Sequence, residues 1–138
     1  HPALEDYIEG SVKRLGGLGL HAAEVHRLAA YLREEPTPHG AEDPILVAEG
    51  RALFEDPGTG CDTCHPAGGT DGARHHVGSG GSFDSPSLRQ IAVSAPYFHD
   101  GRFATLVQLL RDTAGTMGFE SDLSDRDRRA LIAFLRTL

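Results

Sequence analysis

The chain has 138 residues, 39% of them hydrophobic and 24% charged, with 13 Lys and Arg against 20 Asp and Glu for a formal net charge of −7. With a mean hydropathy of −0.29, this is a globular composition, long enough for one domain and an appendage, and neither disordered nor collagen-like. No apolar run approaches the roughly 20 residues of a membrane span, no basic-then-apolar signal segment opens the chain, and the acidic balance argues against a nucleic-acid partner.

Four stretches carry helical periodicity. In the first, Val25, Leu28, Ala29 and Leu32 recur at i, i+3, i+4 and i+7 before Pro36 and Pro38 end it. Residues 36–43, PTPHGAED, read as a linker. The second helix opens on Asp43 as N-cap with Pro44 at its first position and runs to about Glu55. Between Pro57 and Pro86 the chain reads as loop, holding eight of the 17 glycines, and no stretch shows strand alternation. A loop this long inside a small domain is unusual unless it wraps something. The third helix covers Thr105 to about Asp112, with Leu106, Val107, Leu109 and Leu110 apolar. The fourth has Ser124 as N-cap, Asp127 three residues on, then Leu131, Phe134, Leu135 and Leu138 on one face.

The first and fourth helices echo each other. Leu20–Arg33 aligns without gaps on Leu123–Arg136, with identities at Leu20, Leu28, Ala30, Leu32 and Arg33. Two unrelated amphipathic helices could share as much. The other reading makes residues 1–40 the tail of one domain and residues 41–138 a complete second one.

The two cysteines lie three positions apart, in Cys61-Asp62-Thr63-Cys64-His65. Cys-x-x-Cys-His is the attachment motif of c-type haem. Two thiols adding across the two vinyl groups of one porphyrin need a short, fixed separation. The histidine after the second thiol is then held under the iron as proximal ligand. A thioredoxin-type redox pair would need a βαβ context that is absent. A zinc site could use Cys61, Cys64 and one or two of His65, His75 and His76, although no second Cys pair is present. A chance match is the third alternative.

A haem iron that only transfers electrons wants a second axial ligand, and Met is the ligand that raises the potential. The single methionine, Met117, lies 52 residues after His65 in a Gly-Thr-Met-Gly turn, away from any apolar helix face. The competing readings are a gap-filling core residue, or His75, His76 or His99 as sixth ligand.

From Gly50 to Leu138 the sequence resembles the C-terminal, electron-transferring haem domain of the bacterial di-haem cytochrome c peroxidase and MauG family, and more broadly a class I cytochrome c. The resemblance is carried by Gly50-Arg51-Ala52-Leu53-Phe54, the Cys61–His65 motif, His75-His76-Val77-Gly78 with Gly80-Gly81, Ser85-Pro86-Ser87-Leu88-Arg89, Ala95-Pro96-Tyr97-Phe98-His99-Asp100-Gly101-Arg102, and the closing helix from Leu123-Ser124. It implies an all-α class I cytochrome c fold whose first and last helices cross closely around a covalent haem, with Gly50 and Phe54 meeting Leu131 and Phe134. An extra helical segment precedes it.

The resemblance also implies thioether links at Cys61 and Cys64, proximal ligation by His65 and axial ligation by Met117. Pro86 and Arg89 would pass beside the haem, a backbone carbonyl fixing the imidazole and the guanidinium meeting a propionate, or Arg89 would sit in a surface ion pair. His75 and His99 take structural roles on this reading, and His1, His21, His26 and His39 lie on the surface or in the linker. Family members with peroxidase activity carry two haem motifs, and this chain carries one. Lys13–Leu20 resembles the tail of a preceding cytochrome domain without its methionine.

These readings converge on electron transfer through one covalent, His/Met-ligated haem c, without catalysis by this chain alone. The alternatives are the electron-relay half of a peroxidase or MauG-like oxidase, and a haem-based sensor. The expected partner is a redox protein or another cytochrome domain, not nucleic acid. The expected location is the bacterial periplasm or another extracytoplasmic site, the chain being a mature or truncated form.

Overall fold

The computed structural model describes residues 3–34, 41–118 and 123–138. The chain forms two compact units, His1–Pro36 and Thr37–Leu138.

The first unit is a helix pair, α1 (Leu4–Arg14) and α2 (Ala22–Glu34). Ile8, Val25 and Ala29 are buried between them, with Leu4 and Leu20 packed against that cluster. The Arg33 guanidinium closes the pair with hydrogen bonds of 2.8 and 2.9 Å to the two Glu5 oxygens. The sequence reading found α2 but not α1. Ala3 at the N-cap offers no side-chain acceptor, and Gly10 interrupts the apolar spacing. The cap is made from the other side, by the Asp6 carboxylate accepting from the Ala3 N–H at 3.0 Å.

The second unit is built on two helices that cross, α3 (Pro44–Glu55) and the last helix, α6 (Asp125–Leu135). Asp43 accepts from the Ile45 N–H at 2.8 Å, and Pro44 sits where its missing donor is not needed. Ser124 accepts from the Asp127 N–H at 3.2 Å, while the Asp127 carboxylate accepts from the Ser124 N–H at 3.0 Å. At the crossing, Gly50 lies so close to α6 that a Cβ would overlap the Ala130 carbonyl and sit 2.9 Å from Phe134 Cβ. This is why α3 tolerates a glycine that costs helix stability. Phe54 and Phe134 meet with ring centroids 5.3 Å apart, and Arg126 on α6 pairs with Glu49 on α3 at 2.7 Å. Phe54, Ile91, Leu106, Leu109, Leu131, Ile132, Phe134 and Leu135 form the buried core. Between the two lie α4 (Cys61–Cys64) and α5 (Leu106–Asp112), the latter capped by Thr105.

The stretch read as loop holds a two-stranded antiparallel sheet, β1 (Arg74–His76) paired with β2 (Ser82–Asp84), which corrects the expectation of no strands. Three residues per strand are too few to show alternation. Polar contacts close the hairpin: His76 Nδ1 donates to the Gly81 carbonyl at 2.9 Å, and the Arg74 guanidinium donates to the Ser82 carbonyl. The fold is mostly helical, as the sequence implied. No helix among the described residues is long and apolar enough to cross a membrane.

Candidate functional site

Thr59 ends the chain's exit from α3, its buried hydroxyl donating to the Leu53 and Asp56 carbonyls at 2.6 and 2.9 Å. Gly60 then turns the backbone at φ +70°, a conformation that suits glycine, and starts the single helical turn of α4. Positions i and i+3 share a helix face, so that turn sets the two cysteine side chains beside each other. Both thiols are free and half-buried. Burial raises the pKa of each, and the Asp71 carboxylate adds to the effect at Cys64.

His65 follows directly and is held from the far side of the loop. Its Nδ1 lies 2.9 Å from the Pro86 carbonyl oxygen. That carbonyl can only accept, so the ring proton sits on Nδ1 and Nε2 keeps its lone pair for a metal. Burial lowers the His65 pKa, against the opposing pull of the Pro86 hydrogen bond, and so favours the neutral ligand form. The Pro86 segment is itself registered against the motif. The Leu88 N–H donates to the Gly68 carbonyl at 2.9 Å, and the Thr70 hydroxyl donates to the Ser85 carbonyl at 2.6 Å. The Asp62 carboxylate accepts from the Ala67 N–H at 2.8 Å, tightening the turn after His65.

Met117 is half-buried and lies on the cavity that Cys61 also lines, together with Thr59, Leu110, Arg128 and Leu131. The alternative sixth ligands are engaged elsewhere. His75 Nε2 donates to Asp71 Oδ2 at 2.7 Å, and His76 takes part in the hairpin bond. His99 Nε2 is 2.7 Å from the Ser79 hydroxyl, with its ring stacked on Phe83 at 3.6 Å. Arg89 is exposed and has no ion pair among the described residues. His21 and His26 are exposed, whereas His1, His39 and most of the linker lie outside the described residues.

Sequence reasoning missed Asp71 and Thr59. Asp71, four residues before His75, gathers with it and Cys64 so that their ligand-type atoms lie within 4.8 Å of one another. Nothing in a run of Gly, Thr and Asp singles it out beforehand. Thr59 reads as a loop residue until its hydroxyl is seen to tie the end of α3.

The donor set fits a covalently held haem. It offers two free thiols on one helical turn, an imidazole with its metal-facing nitrogen available, and a thioether sulfur on a cavity shared with the first thiol. Leu88, Tyr97, Phe98, Phe103, Leu110 and Leu123 pack on the core yet stay half-buried, leaving apolar surface for a flat macrocycle to cover.

The cytochrome c family model matches residues 47–138. Among curated relatives, the methylamine utilization protein MauG of Methylorubrum extorquens is 36% identical over 66 residues, 41% of this chain and 19% of that protein. The cytochrome c551 peroxidase of Nitrosomonas europaea is 30% identical over 113 residues, 65% of this chain and 33% of that protein. A solved structure of Kuenenia stuttgartiensis hydrazine synthase superposes with a TM-score of 0.61 at 22% identity, over 87% of this chain and 56% of that one. The chain thus spans well under half the length of the curated relatives it matches, and it belongs to the cytochrome c family, whose cofactor is covalent haem c.

Proposed function

We propose that this chain is an electron carrier with one haem c, attached at Cys61 and Cys64 and ligated axially by His65 and Met117. The observation that carries the reading is the His65–Pro86 hydrogen bond, placed directly after a turn bearing two free thiols. Haem iron held there would alternate between ferric and ferrous states, moving one electron per cycle. The protein's part is to keep both axial positions filled, so that nothing rearranges as the charge changes. His65, oriented through Nδ1, and Met117 would be the residues that hold the iron. Leu88, Phe98, Phe103 and Leu110 would exclude water from the macrocycle, and the exposed Arg89 would be available to a propionate. The partner is a redox protein with a surface that complements the acidic charge, docking through a small transient interface. Haem attachment of this type supports a location outside the cytoplasm.

Electronic spectra of both redox states test this. The expected results are a haem spectrum with a weak far-red band in the oxidised form and no carbon monoxide binding to the reduced form. In Met117→Ala, the band should be lost and carbon monoxide should bind. A purified chain that binds zinc and shows no haem spectrum overturns the reading.

A second reading, the relay half of a larger peroxidase or MauG-like oxidase, is favoured by α2. The residue pairs 28/131, 31/134 and 32/135 align in the echo, yet Leu131, Phe134 and Leu135 are 1–5% exposed while Leu28, Tyr31 and Leu32 are 38–59% exposed. The cap bond is repeated too, with the Glu24 carboxylate accepting from the His21 N–H at 2.8 Å as Asp127 does from Ser124. On this reading α1 and α2 are the closing helices of a preceding cytochrome-like domain. A second Cys-x-x-Cys-His upstream in the gene product, and two haems per polypeptide by pyridine haemochrome assay, would establish it. A single haem in the full-length protein would refute it.

A further inference from the structure

Both chain neighbours of Met117 stand at contacts that only a glycine permits. On one side is Gly78, at φ +74° in the turn between β1 and β2. A Cβ there would sit 2.9 Å from Thr116 Cγ2 and 3.0 Å from Thr116 Cβ. On the other side, Gly118 at φ +88° is pressed on the main chain, where a Cβ would sit 2.8 Å from the Thr59 carbonyl oxygen.

Each contact rests on an anchored element. The Thr116 and Met117 N–H groups both donate to the Thr113 carbonyl at 3.0 Å, and the Thr116 hydroxyl donates to the same oxygen at 3.0 Å. Thr113 is buried at the end of α5, its own hydroxyl donating to the Leu109 carbonyl at 2.7 Å. Thr59 is buried and doubly bonded at the end of α3, two residues before Cys61. The hairpin that carries Gly78 is braced from outside by the Ser79–His99 contact and the Phe83–His99 stack.

We propose that Gly78 with Thr116, and Gly118 with Thr59, form a two-point clamp that fixes the Met117 backbone over the cofactor site. The clamp thereby determines whether the sixth position stays closed. These are positioning residues, and the proposal rests on Met117 being the axial ligand. An unbranched methionine side chain has three rotatable bonds and cannot place its own sulfur. A thioether is also a weak ligand, so the backbone must hold it at high effective concentration against water and small external ligands. A haem site with the clamp intact carries electrons, whereas one with the clamp released takes exogenous ligands.

The test uses the haem-loaded protein and reads the far-red band of the oxidised form together with imidazole affinity. In Gly78→Ala, imidazole should bind at least tenfold more tightly and the band should weaken, while the His65-dependent haem spectrum and far-UV circular dichroism persist. Thr116→Ser removes Cγ2 but keeps the hydroxyl bond to Thr113. It should therefore match the parent alone and reverse only part of the Gly78→Ala gain in imidazole affinity, because Thr116 Cβ at 3.0 Å and the left-handed φ remain. Should Gly78→Ala fail to fold, Thr116→Ile crowds the same contact without touching the left-handed residue. It should open the site relative to Thr116→Val. A closed site in both crowding variants overturns the clamp, as does an open Gly78→Ala site that Thr116→Ser leaves equally open. Met117→Ala separates the two levels. If it leaves the band and imidazole affinity unchanged, the ligand assignment fails. If it opens the site while the crowding variants stay closed, only the clamp fails.

Discussion

Two Gly→Ala substitutions, each in the middle of a helix, should change stability in opposite directions. At Gly50 the added Cβ would overlap the Ala130 carbonyl and crowd Phe134 Cβ at 2.9 Å. Those are backbone and Cβ atoms, which no rotamer change can move, so α3 and α6 must part and loosen the Phe54–Phe134 contact. Overpacking of this kind costs roughly 1–3 kcal/mol, occasionally more. Alanine returns about 1 kcal/mol of helix propensity. Because the Cβ would overlap the Ala130 oxygen outright, the upper part of the overpacking range, about 2–3 kcal/mol, applies. The net expectation is therefore a loss of about 1–2 kcal/mol, or a fall of about 4–16 °C in Tm for a unit of this size. At Gly10 in α1 a Cβ meets nothing within 4 Å. There alanine should stabilise by about 0.5–1 kcal/mol, which raises amide protection in α1 roughly two- to fivefold. Thermal melts of the haem-loaded protein followed at the haem band report the second unit, and hydrogen exchange of α1 amides reports the first. A Gly50→Ala variant melting at or above the parent would refute the close crossing as the reason for that glycine.

Three further outcomes are expected. Ser124→Ala removes the hydroxyl that accepts from the Asp127 N–H and should cost about 1 kcal/mol, seen as a lower urea midpoint with an unchanged slope. Arg33 holds the Glu5 carboxyl below its ordinary pKa chiefly through their hydrogen bonds. A depressed carboxylate stabilises fully above its unfolded value, about 4.3, and loses that contribution as pH falls through the lower folded value. α1 and α2 amides should therefore lose protection on acidification below about pH 4.3, and Glu5→Gln should flatten that dependence; an equal slope in both proteins would sink the assignment. His99→Phe keeps an aromatic ring over Phe83 but drops the Ser79 contact, and it should leave the ligand bands of both redox states in place. A parent that lacks the far-red band and whose spectrum changes in the variant would make His99 an iron ligand.

What was legible beforehand followed from local physics. Asp43-Pro44 and Ser124 with Asp127 announce helix starts because their caps are made within three residues. The Cys61–His65 spacing is readable because its chemistry is local to one turn. Gly50 and Phe54 could be paired with the last helix only through the family resemblance, since their contacts lie some 80 residues away in sequence. The hairpin was invisible because its stability lies in pairings such as His76 with Gly81 rather than in alternation. Thr59 and Asp71 were likewise silent, and Gly78 and Gly118 stood in motifs that did not show what they press against. A glycine in a loop reads as permissive turn chemistry until a second segment is known to press on it.

Gly50, Gly78 and Gly118 differ in what each presses against, and that difference orders their consequences. Gly50 meets a helix main chain deep in the core, so a side chain there separates two elements and is felt as stability. Gly118 meets the Thr59 main-chain oxygen beside the cysteine turn, where no side-chain substitution on the other partner can make room. Gly78 meets Cγ2 and Cβ of Thr116, and a Ser removes the first of these, which allows a partial rescue. Stability should therefore track Gly50, while ligand closure should track Gly78 and Gly118, with only the Gly78 effect open to rescue. Under the proposed clamp, the helix crossing would set the frame and the two loop contacts would set how open the site is, so that changes confined to the loops would alter ligand closure while leaving the Gly50 crossing intact.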